Sequence, residues 1–491
     1  MSKKAKVFTN SFLYSFNSLL LKAVNFLLIP VYTAFLTTAD YGTTNLASNF
    51  NTVATCFVAF SLYTSVIRFY VDLKENSEAL KRFYGTLVLF IGGSSVVFLM
   101  FSLLLKDWII RILFDGIDFY PTILIVLLNI PFSCMHSLYQ NILQGRQEGK
   151  KYTVTSIFYF SFMVSLNMIF VVGMKMGANG VLLSTLIVNI LFAIFVIFDL
   201  KRLNLIRFCI DFKLLKSALK YSVPLMPHDL SAYTAPLISK IILNKSFALS
   251  SVGLYGLATQ LSSVTDMVQM SVNMAFAPWF YEKLKQNTPQ AKEEVVKTAQ
   301  PLMWVYGIIF LAVGLFSQEV ILIMAQDSYA LAWKVVPLLV VALSIKSIYY
   351  FYVNVLFYYK SAAKKIFIAT MSGSIVNIVA SFLLIPVYDI YGAGIAQIVS
   401  RLVTVSIVVI ISRRVDNVGF KLHKMVGMVV LNILFITGGL YFSYTRFDTQ
   451  FSLINFGYKM IFFAAYTGIA CFAMKKDIKA LFENIKLNYI K

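Results

Sequence analysis

A chain of 491 residues that is 59% hydrophobic and 13% charged, with a mean hydropathy of +0.77, carries more apolar surface than a water-soluble fold of that length can bury. Its formal charge of +21 would suit nucleic acid, but the basic residues stand in short breaks between apolar runs and not on one face, which excludes that class. The composition specifies an all-α polytopic membrane protein.

Lys3, Lys4 and Lys6 precede the first apolar run. That run is too long for a signal peptide and has no small-residue cleavage site, so it is expected to remain as the first helix. Fourteen stretches reach the roughly 20 residues that a helix needs to cross a bilayer. They lie near 11–36, 43–67, 83–105, 119–143, 152–173, 178–199, 217–243, 250–276, 298–322, 333–357, 366–387, 391–412, 424–444 and 451–474. The loops between them are short. The longest outer one, 106–118, has room for a small interfacial helix but not for a catalytic domain. The loops and span ends on the side of the N-terminus hold 32 Lys and Arg and the opposite ones hold 6, which places both termini in the cytoplasm.

Short matches recur at a nearly constant offset. Tyr41-Gly42 and Tyr255-Gly256, Lys150-Lys151 and Lys364-Lys365, and Gly180 and Gly394 are each 214 residues apart. Arg68-Phe69-Tyr70 and Trp279-Phe280-Tyr281 are 211 apart. Six helices fit in that offset, so the repeat is expected to be parallel. The expected organisation is a six-helix lobe over 1–205, a second over 206–414, and two further transmembrane helices with a cytoplasmic tail over 415–491.

Polar residues inside the spans fall in stripes. Ser11, Ser15, Ser18, Lys22 and Asn25 share a face of span 1, and Asn129, Ser133, His136 and Gln140 share one of span 4. Span 7 carries Asp229, Tyr233, Pro236 and Lys240 on one side. Span 8 carries Tyr255, Thr259, Ser262, Asp266, Gln269 and Asn273. Lipid cannot satisfy such groups, so these helices are expected to face protein or water, and spans 7 and 8 to line an aqueous cavity.

Five cations lie inside spans and away from their ends: Lys22, Lys240, Lys346, Arg401 and Lys459. Each costs about 2.5–3.5 kcal/mol at mid-helix on insertion scales and so needs a reason to be there. Lys240 and Lys459, nearer the outer ends, are expected to snorkel to water. Asp266 can neutralise a lysine, or it can serve with Asp229 and His228 as a carrier of a coupling proton or Na⁺. Cys56, Cys134, Cys209 and Cys471 show no paired or metal-ligand spacing. No catalytic motif is present, so the chain reads as a non-enzyme without cofactor or metal, apart from H⁺ or Na⁺ coupling.

The whole length resembles the polysaccharide flippases of the multidrug/oligosaccharidyl-lipid/polysaccharide exporter superfamily, the group of O-antigen and capsule repeat-unit translocases. The likeness is closest at Pro224, Pro227, Lys240, Gly253 and Tyr255-Gly256, around that family's proline-rich helix 7 and the start of helix 8. Many members have an acidic–Arg pair near the end of helix 7, where this chain has Ser239-Lys240. The resemblance implies a V-shaped, alternating-access translocator in the bacterial inner membrane, bending at the proline-broken helix 7. Its implied partners are the bilayer, a polyprenyl-diphosphate-linked oligosaccharide and other polysaccharide-assembly membrane proteins, with no nucleic acid. Lys22, Arg68, Lys346, Arg401 and, behind them, Lys240 would hold the diphosphate or acidic sugars. Asn17, Asn25, Asn49 and Tyr255 would contact sugars. A drug/cation antiporter of the same superfamily and a membrane polysaccharide polymerase or ligase are the competing readings.

Overall fold

The computed structural model describes residues 10, 13, 14, 17, 20, 23–359, 362 and 364–475. These contain helices and no strand. Nine of the described helices are long and apolar enough to cross a membrane, or ten when one bent pair counts as a single span, so the chain is a multi-pass membrane protein. The chain packs as two compact units, Met1–Gly253 and Leu254–Lys491.

In the first unit, α1 (Ile29–Phe35) leads into α2 (Thr38–Val58). Thr37 starts α2 with a reciprocal cap: its hydroxyl accepts from the Asp40 amide and the Asp40 carboxylate accepts from the Thr37 amide, both at 3.1 Å. Asp40 also accepts from the Ala178 amide at 3.0 Å, so one carboxylate serves two helix N-termini. The predicted second span is a bent pair, α2 and α3 (Tyr63–Leu73), turned by 42° where Phe60 and Ser61 take positive φ. Next come α4 (Ser77–Leu104), α5 (Lys106–Leu113, the small helix of the 106–118 loop), α6 (Leu124–Gly145), α7 (Gly149–Asn167) and α8 (Gly177–Arg202).

Predicted span 7 is not one helix. It splits into α9 (Phe212–Ser222), capped by Asp211, and α10 (Met226–Ser246). Proline removes an N–H donor and disfavours helical backbone in the residue before it, and Pro224 and Pro227 stand at that break. The next helix, α11 (Leu249–Gln286), begins in the first unit and continues into the second. Gly42 of α2 and Gly253 of α11 allow backbone contact. A Cβ on Gly42 would lie 1.9 Å from the Leu249 carbonyl oxygen, and one on Gly253 would lie 2.0 Å from that of Thr38. The two glycines are themselves 211 positions apart, the offset of the Arg68 and Trp279 tripeptides.

The second unit continues with α12 (Pro289–Met324), α13 (Val336–Tyr358), α14 (Ile366–Val415), α15 (Leu422–Gly439) and α16 (Leu453–Ala473). Predicted spans 11 and 12 are the two arms of α14, which bends at Asp389 (φ 50°, ψ −133°). The last two helices dock on α12. Asn432 of α15 donates to the Gly307 carbonyl at 2.7 Å, and a Cβ on Gly307 would lie 2.0 Å from the Tyr466 hydroxyl of α16. Helices α10 and α11 are long enough to span but are not among the nine, because their polar stripes lower their apolarity.

Candidate functional site

In the first unit the α10 stripe packs toward α2 and α3. The Tyr63 hydroxyl donates to Asp229 at 3.1 Å, and Asp229 is half-buried while its neighbour His228 is exposed. Lys240, expected to reach water, is instead buried at 6% exposure and donates to the Asn45 side-chain oxygen at 3.3 Å. Among the described residues no carboxylate lies within ion-pair distance of it. Its hydrogen-bond partner is a neutral amide.

The α6 stripe is the centre of an uncharged layer that sequence periodicity only half revealed. Asn129 donates to Asn51 of α2 at 3.2 Å and to Ser133 at 3.0 Å, and Asn51 donates to Ser133 at 3.2 Å. Asn189 of α8 donates to Asn129 at 2.8 Å and accepts from the Tyr159 hydroxyl of α7 at 3.1 Å. His136 stacks on Tyr159, with centroids 4.3 Å apart and planes within 10°, and meets the edge of Phe192. Asn51 and Asn189 were missed. Asn189 is a lone amide in an apolar run, and Asn51 follows Asn45 and Asn49 in the same helix.

In the second unit the α11 stripe meets α13. Lys346 binds Asp266 at 2.6 Å and lies 5.5 Å from the Tyr350 ring centroid. Gln269 donates to the Leu343 carbonyl at 2.7 Å, and Asn354 donates to Asn273 at 2.8 Å. Much of this stripe therefore serves helix pairing, and Asp266 neutralises Lys346. Arg401 of α14 is half-buried, with no carboxylate in ion-pair range among the described residues and a buried Nε that has no hydrogen-bond partner. Beside it, the Tyr255 hydroxyl, 2% exposed, is hydrogen-bonded to Gln397.

Lys459 does not snorkel. It is fully buried and donates to both carboxylate oxygens of Glu319, at 2.7 and 2.9 Å, and to Gln318 at 2.8 Å. Glu319 of α12 is the intramembrane acid that the sequence reading overlooked, and it makes a buried position available to the lysine. The remaining candidates lie apart from these clusters. Arg68 is exposed and paired with Asp72 at 3.5 Å, one helical turn on. Asn25 is half-buried, Asn17 is buried, and Asn49 donates to the Asn45 carbonyl of its own helix. Lys22 lies outside the described residues. The four cysteines are free, and no metal-binding group of His, Cys, Asp and Glu occurs among the described residues.

A family model described as "Polysaccharide biosynthesis protein" matches residues 7–283. A protein of the Lsg locus of Haemophilus influenzae (strain ATCC 51907 / DSM 11121 / KW20 / Rd) is 26% identical over 290 residues, covering 57% of this chain and 67% of that protein. Among solved structures, the lipid II flippase MurJ in an inward closed conformation aligns with a TM-score of 0.71 at 13% identity, over 94% of this chain and 99% of that one. An inward-facing multidrug resistance MATE family transporter of the MOP superfamily aligns with a TM-score of 0.67 at 13% identity, over 81% and 94%. These likenesses establish the fold.

Proposed function

We propose, from the premise that the chain belongs to the polysaccharide biosynthesis protein family, that it is a flippase for lipid-linked oligosaccharide. It moves polyprenyl-diphosphate-linked repeat units from the cytoplasmic to the outer leaflet of the bacterial inner membrane by alternating access, for surface polysaccharide such as capsule or O-antigen. No bond is made or broken in that step, and both termini lie in the cytoplasm.

The observation that carries the reading is Arg401, a half-buried intramembrane guanidinium that has no carboxylate partner among the described residues. A cation kept at mid-helix despite the insertion cost needs an anion, and a diphosphate in transit supplies one with matching planar hydrogen-bond geometry. Lys240, Lys346, Arg68 and Lys22 complete the proposed cationic set, with Tyr255 and Asn25 as sugar contacts. Lys346 has Asp266 beside it and would have to exchange that partner for substrate. For the same reason Asp229, held by the neutral hydroxyl of Tyr63, is a better candidate for carrying H⁺ or Na⁺ than Asp266, with exposed His228 adjoining it.

The test has two parts. A deletion strain should accumulate single lipid-linked repeat units on the cytoplasmic leaflet. Vesicles containing the purified protein should equilibrate those units between leaflets. Units that reach the outer leaflet in the deletion strain and only fail to lengthen would make the protein a polymerase or ligase.

A further inference from the structure

The uncharged layer of the first unit borders an open cavity of about 440 Å³, in the size range of small-molecule pockets, lined by α2, α3, α6, α7, α8 and α10. No Lys, Arg, Asp or Glu is among the side chains that line it. Its wall is made of amides, hydroxyls, the His136 imidazole, the Cys56 thiol and the rings of Tyr63, Tyr152, Tyr159 and Tyr233. The geometry points to a binding subsite for the uncharged sugar portion of the lipid-linked substrate, inside the first unit and with no Lys or Arg in its lining. This assignment rests on the flippase reading and adds to it where the glycan is recognised.

Three features argue for a sugar. First, the hydrogen-bond directions are already set. The Tyr159 proton is committed to Asn189, so that phenolic oxygen is left as an acceptor for a sugar hydroxyl. Asn141 uses one amide hydrogen on the Ser137 carbonyl, and the Gln144 side chain has no hydrogen bond among the described residues, which leaves further capacity on the wall. Second, the tyrosine faces carry the negative pole of the ring quadrupole, and the C–H bonds on one side of a pyranose present the matching positive charge. Third, the wall disfavours the other partners of such a protein. A diphosphate or a metal cation would be desolvated against it with no opposite charge in return. A purely apolar guest would strip water from the amides without replacing their hydrogen bonds.

The test uses the full-length protein in lipid nanodiscs and, as probe, the free oligosaccharide released by mild acid from the lipid-linked units of a deletion strain. Binding is followed by saturation-transfer NMR and calorimetry. The wild type should bind, with an affinity that does not change between low and high salt, because no charge pair is involved. Ser137→Phe, which fills the cavity, should weaken binding by about tenfold or more. Tyr233 is 40% exposed, so its truncation removes little buried packing. Tyr233→Phe should bind nearly as the wild type and Tyr233→Ala should not, since the ring face is the contact. Wild-type affinity in a well-folded Ser137→Phe protein, or affinity that falls steeply with salt, overturns the subsite. If the wild-type protein moves lipid-linked units in vesicles and yet binds no free oligosaccharide, the subsite falls and the flippase reading stands. If it binds oligosaccharide but moves nothing in vesicles, the flippase reading falls, and with it the role assigned to the subsite.

Discussion

Lys459 and Glu319 form an ion pair in which the lysine has no exposed side-chain surface and the glutamate has 8%. Breaking such a pair from one side leaves a buried charge without compensation, whereas replacing both partners removes the problem. Lys459→Ala should therefore lower stability by about 3–5 kcal/mol. Lys459→Met combined with Glu319→Leu should recover most of that loss. Thermal unfolding of the purified variants in detergent measures both.

Lys346 and Asp266 are more accessible, with side-chain exposures of 18% and 31%, so a smaller effect is expected there. A double-mutant cycle with Lys346→Ala and Asp266→Ala should show a coupling of about 1–2 kcal/mol in unfolding stability. Additive losses would mean that the two side chains do not depend on one another.

Arg401 tests the anion-holding role. Arg401→Gln should reduce flipping in vesicles by about tenfold or more with normal protein in the membrane, since about 1.4 kcal/mol of lost substrate interaction suffices for that factor. Arg401→Lys should retain part of it, because the charge remains but the forked hydrogen-bond geometry does not. Normal flipping by Arg401→Gln removes this residue from the substrate path.

Gly42 and Gly253 sit where a methyl group would meet a carbonyl oxygen. Gly42→Ala or Gly253→Ala should cost about 1–3 kcal/mol, the usual penalty for overpacking, because backbone cannot swing aside as a flexible side chain can. Ser77 starts α4 and is exposed, so Ser77→Ala in the same unfolding assay is a suitable nearly neutral control.

The loop charges give a topological prediction. In a background without Cys56, Cys134, Cys209 and Cys471, a single cysteine at exposed Lys201 should react with a membrane-impermeant reagent only after lysis. One at exposed Asp327 should react in intact cells whose envelope admits the reagent. The reverse pattern would invert the proposed orientation.

Hydropathy located most of the helices because apolar length is a property of the segment alone. It could not place the 42° bend between α2 and α3 or the split between α9 and α10, which depend on backbone dihedrals and on prolines acting in context. Periodicity identified which residues share a face, as with Asn129, Ser133, His136 and Gln140, but not what that face meets. The α11 stripe read as a cavity wall, and much of it bonds to α13. Lys459 departs from expectation for a related reason: its position near a span end points to water, and the carboxylate that keeps it inside lies 140 residues away in sequence.

The polar layer around Asn51, Asn129 and Asn189 has a consequence for energy coupling. A membrane potential acts on charge, with about 2.3 kcal/mol per elementary charge per 100 mV, and does almost no work on neutral amides and hydroxyls that carry none. A sugar held there would bind equally well in energised and in depolarised cells. Any voltage sensitivity of transport must then enter through the charged side chains or the diphosphate, so the glycan can vary in neutral composition without altering the electrical work of a cycle.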